Sequence, residues 1–203
     1  MITPDSVSIR GQVVAYSVFP ELVGKHLQNV RRTDQLELAG AKLRQDVFTD
    51  EAFFTNEALR KFIEGVCLWG GRSGIATHIF NRNRPEHVRS QFILAIQILR
   101  QSPPDVGSAL RCINAIKWLG TPSFASKHLR FLCPEFCPVL DRRIHDVFGY
   151  PFDVSGYQQY AEACLQIVLV LERIHSPNPR QRDHERWYVG DIDMALYARL
   201  KSW

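Results

Sequence analysis

The sequence predicts an all-α protein: one compact helical bundle over residues 1–203, with two lobes around a cleft. Three observations predict it. Apolar residues recur three and four positions apart in segment after segment, as they do on one face of a helix. No stretch alternates convincingly with a period of two. Gly and Pro fall between the periodic segments and divide the chain into about eight helices.

The first 32 residues are mixed, and RGQVVAYSVF at 10–19 reads as a short strand or a buried extended arm. Residues 33–46 read as a helix with Leu36, Leu38 and Leu43 apolar and Thr33 as its N-cap. Residues 49–68 read as the next, with Phe53, Phe54, Leu59, Phe62, Ile63 and Val66 at helical spacing. Its first turn, Thr49-Asp50-Glu51, is acidic and suits the helix dipole, and Trp69-Gly70-Gly71 stops it. Residues 72–84 read as a loop ending in Asn81-Arg82-Asn83-Arg84.

Pro85 suits a first helical position. Behind it Val88, Phe92, Ile96 and Leu99 form one stripe, ended by Ser102-Pro103-Pro104-Asp105. The helix at 106–119 carries Leu110, Ile113, Ile116 and Leu119 and breaks at Gly120. Residues 123–133 are helical with Phe124, Leu129 and Leu132 for packing, and Pro134 and Pro138 bracket a turn. Short helix 141–148 follows, ended by Gly149-Tyr150-Pro151, and then a long one at 155–175. Residues 176–182 read as a loop, and Asp191 as the N-cap of a last helix at 192–203.

Composition narrows the class. With 45% apolar and 23% charged residues in 203, the chain has the profile of a soluble globular protein. No apolar run approaches the ~20 residues that span a bilayer. The opening MITPDSVSIRG lacks the layout of a secretory signal. Five irregularly spaced cysteines, mostly within apolar runs, read as reduced core residues of a cytoplasmic protein. No metal or other cofactor is expected. The net charge of +4 is unevenly spread: residues 60–143 hold 13 Lys and Arg against 5 Asp and Glu. A basic middle suits a polyanionic partner, although a solvated charged surface gives the same count.

The chemistry concentrates in LGTPSFASKHLRFLCPEFCPVLDRRIHDV, residues 119–147. A tight turn between two helices aims several backbone N–H groups one way and can hold a phosphate. A proline-framed bend then delivers Asp141 at the start of a helix. A carboxylate there can cap the helix, or steady a positive charge developing on a sugar and orient an attacking water.

This stretch resembles the helix–hairpin–helix DNA glycosylase superfamily. Its adenine-glycosylase branch carries a pattern like G-R-S-T-A, an apolar helix, then F-P-I-L-D-G-N-V. Here stand Thr121-Pro122-Ser123-Phe124-Ala125, a helix, then Cys137-Pro138-Val139-Leu140-Asp141-Arg142-Arg143-Ile144, with Ser123 eighteen residues before Asp141. SFASKHLRFLCPEFCPVLDRRI with a later RWYVGDIDMALY also looks like a small bacterial group described as similar to 8-oxoguanine glycosylases. The resemblance implies a helix–hairpin–helix at about 106–133 and a catalytic turn and helix at 134–148. It makes Asp141 the catalytic aspartate. Ser123 takes the place where bifunctional members carry a lysine nucleophile, which implies a monofunctional, water-using enzyme. Lys127, one turn later on the same face, is an alternative nucleophile or a phosphate contact. Two departures stand out: the hairpin reads Leu119-Gly120-Thr121-Pro122 where members usually have L-P-G-V-G, and the C-terminal four-cysteine motif of many members is absent.

The expected partner is double-stranded DNA with a modified base, bound by a monomer. Gly120, Thr121, Ser123, Lys127, Arg142 and Arg143 are expected to bind DNA; Asn81, Arg82 and Arg84 are further candidates, in a stretch that reads first as an exposed polar turn. A base pocket needs flat walls and polar readers, and Trp118, Phe124, His128, Trp187, Tyr188 and Asp191 are its candidates, with Trp69 as a further ring. Burial in the core is the ordinary fate of such rings. The substrate is expected to be oxidised guanine, as in repair, or a hypermodified phage pyrimidine, as in defence. The competing functions are a non-catalytic DNA-binding module on the same hairpin and a helical protein-interaction domain.

Overall fold

The computed structural model describes residues 5–30, 32–180 and 186–201. Among them stand ten α-helices and one two-stranded antiparallel hairpin, so the all-α expectation holds at that level. No helix among the described residues is long and apolar enough to cross a membrane.

The hairpin joins β1 (Ser6–Ile9) to β2 (Gln12–Ala15), with Ile9 opposite Gln12. Arg10 and Gly11 both take positive φ (49° and 84°), as a two-residue turn matching the twist of the strands requires. The expected strand at 10–19 is therefore β2 alone. Residues 19–29 form a helix instead, α1 (Phe19–Asn29), with Pro20 in its first turn and Phe19, Val23 and His26 buried at i, i+4 and i+7.

Helix α2 (Thr33–Thr49) runs one turn further than expected and begins with Thr33 inside it, after Arg32 in the left-handed region. Its buried stripe is Thr33, Leu36, Glu37, Gly40 and Leu43; Leu38 is exposed. The helix expected at 49–68 is broken by a 3-10 turn at Glu51–Phe53, leaving Phe53 in solvent. Helix α3 (Asn56–Trp69) starts after Thr55, whose hydroxyl accepts from Ala58 N. The expected loop at 72–84 contains α4 (Gly74–Arg82), which buries Ala76 and Ile79.

Helix α5 (Pro85–Leu99) is as expected. Helix α6 (Val106–Asn114) is capped by Asp105 and stops a turn before Leu119. Then come α7 (Pro122–Leu132), α8 (Arg142–Phe148), α9 (Val154–Arg173) and α10 (Val189–Arg199). Asp191 lies inside α10, so it is not that helix's N-cap. Part of the expected loop at 176–182, and the end of the expected last helix, fall at 181–182 and 202–203, outside the described residues.

One hydrophobic cluster runs from Val7 to Leu196, and all five cysteines are buried and unpaired. Helix α1 packs along α10, α2 crosses α7, and α3 touches α7. The α2–α7 crossing is close because of Gly40: a Cβ there would meet the Phe131 carbonyl oxygen at 1.9 Å. Buried charge locks the same region. Glu37 of α2 accepts from Arg130 of α7 and from Arg180 (2.5 Å), and Arg180 also reaches Asp34 and Asp191.

Gly40→Ala is expected to push α7 off α2 and cost about 1–3 kcal/mol in urea unfolding. Gly24→Ala on α1, where a Cβ meets nothing within 4 Å, is expected to gain about 0.5–1 kcal/mol in the same assay.

Candidate active site

A cavity of about 580 Å³ opens between α1, α3, α7, α10 and the turn ahead of α8. Asp141 and Lys127 both line it, and so do His26, Trp69, Asp193 and Tyr197. Three proximities in the chain create the site. The Lys127 stem lies against Gly70, where a Cβ would stand 3.3 Å from its Cδ, so the glycine after α3 leaves room for the lysine. Ser126 of α7 accepts a hydrogen bond from Leu140 N (3.1 Å) and ties down the bend before Asp141. Gly190 N donates to Pro134 O (2.9 Å), anchoring the start of α10 to the other end of that bend.

Asp141 does two things at once. Its Oδ1 accepts from Ile144 N (3.0 Å) and caps α8, as the sequence also allowed. The residue is half-buried and lines the cavity, so the cap also fixes a carboxylate at the cavity wall. Lys127 donates from Nζ to Ser123 Oγ (3.0 Å), and its ammonium lies 5.3 Å from the Phe124 ring centroid. Burial pulls the Lys127 amine below its usual range, while Asp141 and Asp193 act the other way.

Asp193 is 5% exposed and takes a hydrogen bond from the Tyr160 hydroxyl (2.9 Å). Burial pushes its carboxyl up to about 7; Tyr160 and Arg130 oppose this, and the Asp141 charge adds to it. His26 is 2% exposed, with neither ring nitrogen hydrogen-bonded and its ring edge-on to Tyr197 at 5.9 Å. Burial, aided by Arg130 and Arg180, lowers its pKa to about 3, so it is neutral at physiological pH. An unpaired buried polar group costs about 1–3 kcal/mol. Trp69 holds its ring by donating from Nε1 to Thr33 Oγ1 (3.3 Å).

The expected base-pocket set is largely displaced. His128 is buried in the core between Phe62 and Phe92, with Nδ1 2.8 Å from Phe124 O. Trp187 is 3% exposed and donates to Ser176 O (2.8 Å). Asp191 is fully buried, accepting from Asn178 (2.9 Å) and Tyr188 N (3.0 Å). Tyr188 lines a different cavity, with Arg44, Glu135 and Arg180. Phe124 packs against the core, with the Lys127 ammonium over its ring. Trp118 is half-exposed with φ of 76° and stacks on His78 at 4.4 Å. His128, Trp187 and Asp191 are thus taken up by the core, which for the two rings is the ordinary fate. Trp69 is the aromatic candidate that does line the cavity.

The expected DNA contacts divide differently. Asn83 accepts from Lys117 N (3.0 Å) and donates to Lys117 O (3.1 Å), which clamps the 81–84 segment to the hairpin. Exposed Asn81, Arg82 and Arg84 therefore share a surface with Lys117 and Gly120. Within the hairpin, Leu119 N donates to Ile116 O and Thr121 N to Leu119 O. Among the described residues, the amides of Trp118, Gly120 and Ser123 donate to no protein group, and Thr121 does not cap α7 with its side chain. Arg142 and Arg143 are exposed beside Asp141, and Arg143 lies over the Tyr197 ring at 5.8 Å.

No family model, curated protein or solved structure matches the chain.

Sequence reasoning missed His26, Asp193 and Tyr197. Asp193 had a signal: it is an acid set within the apolar run of DIDMALY, where a helix of that composition is buried on most sides. His26 had one only once α1 is recognised, as the third residue of its buried stripe.

The buried histidines and Asp193 set opposite pH dependences. His26 and His128, lowered to about 3 and about 4, stabilise the fold above pH 6.5 and lose that contribution as pH falls through those values. Each acts with a slope of about 1.4 kcal/mol per pH unit while only the unfolded form is protonated. Asp193, raised to about 7, favours folding when protonated, so its contribution falls as pH rises from about 4 to 7. Asp193→Asn is accordingly expected to raise the melting temperature over the parent at pH 8 and to leave it unchanged at pH 4. An equal difference at both values would show that the carboxyl does not gain its proton on folding.

Proposed function

We propose that the chain is a DNA glycosylase of the helix–hairpin–helix kind, which excises a modified base from duplex DNA. The observation that carries this reading is that Asp141, fixed by the α8 cap, faces the same cavity as Lys127, beside exposed arginines and an uncapped α7. In this reading α6, the 115–121 hairpin and α7 are the gripping element. The free amides of Trp118, Gly120 and Ser123 take a phosphate oxygen, and Arg82, Arg84, Arg142 and Arg143 flank the backbone. The helices on either side of the cavity are the two lobes. The partner is duplex DNA and the acting form a monomer in the cytoplasm.

The everted nucleotide enters the cavity with its sugar towards Asp141. The N-glycosidic bond breaks and its electron pair leaves with the base, which takes up a proton. The carboxylate steadies the cationic sugar and accepts a proton from the water that adds to C1′, leaving an abasic site. Oxidised guanine and a hypermodified pyrimidine both suit a cavity of about 580 Å³.

The position of Lys127 favours a second route over the same site. With Lys127 lining the cavity and its amine lowered by burial, a carbon–nitrogen bond to C1′ can form as the base leaves. The adduct passes a nitrogen-bound proton to O4′ as the C1′–O4′ bond opens to the iminium; loss of a proton from C2′ then expels the 3′ phosphate with the C3′–O electron pair and nicks the strand.

Asp141→Asn, which keeps a good N-cap, is expected to lose base release by about 100-fold or more while still binding duplex. The assay is a panel of duplexes, each with one modified base, scored for abasic sites; equal turnover by the variant removes Asp141 from the mechanism. Borohydride separates the routes. A trapped protein–DNA adduct that disappears in Lys127→Ala is the outcome of the amine route, and abasic sites without an adduct that of the water route.

A further inference from the structure

We infer that Trp118 is a stacking platform for one unpaired DNA base: its ring carries His78 on one face and takes the base on the other. The inference shares with the glycosylase reading only the hairpin before α7 as a DNA-binding element. It adds a base contact outside the cavity and does not depend on base excision.

Trp118 is 50% exposed and forms no part of the cavity around Asp141. Its φ of 76° lies in the left-handed region, which any residue with a Cβ disfavours. A large apolar ring held in solvent on such a backbone does little for the fold. Conformations of this kind persist where the surroundings impose them, and they gather at binding sites. Here the surroundings do impose it. Asn83 accepts from Lys117 N (3.0 Å) and donates to Lys117 O (3.1 Å), and Leu119 N donates to Ile116 O (2.9 Å), so the backbone is fixed on both sides of Trp118. His78 of α4 fixes the ring itself: the two rings lie 4.4 Å apart and 17° from parallel. Among the described residues that stack is the ring's one aromatic contact, and the indole Nε1 has no acceptor.

The stack decides how a base is taken. A side chain that wedges between two base pairs needs both of its faces. Trp118 has given one face to His78, so it caps a single base and extends the stack by a third ring. The charge around it names the ligand. Arg82 lies one turn after His78 on the same side of α4, Arg84 follows that helix, and Lys117 precedes Trp118. All three are exposed, and none forms an ion pair among the described residues. Unpaired cations around a flat apolar ring suit a strand that carries both phosphates and bases. A fully paired duplex hides the faces of its inner bases from such a ring, and a strand with an unpaired base presents one.

The test uses two duplexes of one sequence, one fully paired and one with a single bulged 2-aminopurine, whose fluorescence falls when it stacks. The full chain is expected to bind the bulged duplex about tenfold more tightly than the paired one and to quench the 2-aminopurine. Trp118→Leu is expected to bind both duplexes equally, without quenching, at an unchanged melting temperature. Trp118→Gly, which relieves the left-handed backbone, is expected to lose the same preference while melting no lower than the parent. Equal binding of the two duplexes by the parent, or no binding of either at low salt, overturns the inference. So does quenching that survives Trp118→Leu; its loss in Trp69→Leu would then place the base in the cavity. Melting well below the parent in both variants assigns Trp118 to the fold and overturns it as well. Base release is scored separately on the panel of modified duplexes. Release without any preference for the bulge retains the glycosylase and discards the platform, and a Trp118-dependent preference without release does the reverse.

Discussion

The site depends on how the bend at 133–141 is pinned. That bend has no regular structure of its own, and Pro134 and Pro138 lack an N–H to give. It is held from both sides by neighbours. The Ser126 hydroxyl takes Leu140 N at 3.1 Å, the α10 amide Gly190 N reaches Pro134 O at 2.9 Å, and Arg44 makes a two-pronged ion pair with Glu135 at 2.9 and 3.0 Å. Gly190 is small enough for α10 to come this close, with Pro134 O and the Arg130 guanidinium both near 3.4 Å from where a Cβ would stand. Asp141 is placed against α3, α7 and α10 because the ends of its loop cannot move.

Polar groups in the interior follow two regimes. Around Glu37 they are charged and mutually paired, joining α2, α7, the Arg180 segment and α10 by ion pairs that each satisfy more than one element. Around the cavity they are neutral or close to titration: His26 without its proton, Asp193 near its midpoint, Lys127 lowered. Removing one member of the first group leaves a buried charge alone, which is strongly destabilising. Perturbed groups gathered in one concavity are what a binding or catalytic site presents. Arg130 serves both regimes, pairing with Glu37 and lowering His26.

Much of the fold was legible because periodicity and punctuation agree: α5, α6 and α7 follow their apolar stripes, and Asp105 and Asp141 sit where helices start. Helices α1 and α4 were hidden by short apolar stripes set among polar residues, and the split at 49–55 by two phenylalanines, of which Phe54 is buried and Phe53 is not. At the site, Asp141 was singled out by the resemblance of 121–147 to a known pattern and Lys127 by its place one turn after Ser123; the two line one cavity because α7 and the bend adjoin in sequence. His26 and Asp193 could not be found that way. They are 167 residues apart and meet at the cavity only because α1 packs along α10. The aromatic candidates divide for a related reason: a ring near a polar loop has the same local signature whether it lines the cavity, like Trp69, or closes a loop onto the core, like Trp187.

Amide hydrogen exchange of the protein, free and bound to a duplex with one tetrahydrofuran abasic analogue, tests whether the hairpin before α7 holds a deoxyribose against Asp141, without knowledge of the base. If it does, exchange slows at 116–127 and 139–144, with little change at β1, β2 or the distal end of α9. Protection confined to other surfaces, or no binding of the analogue at low salt, would contradict it.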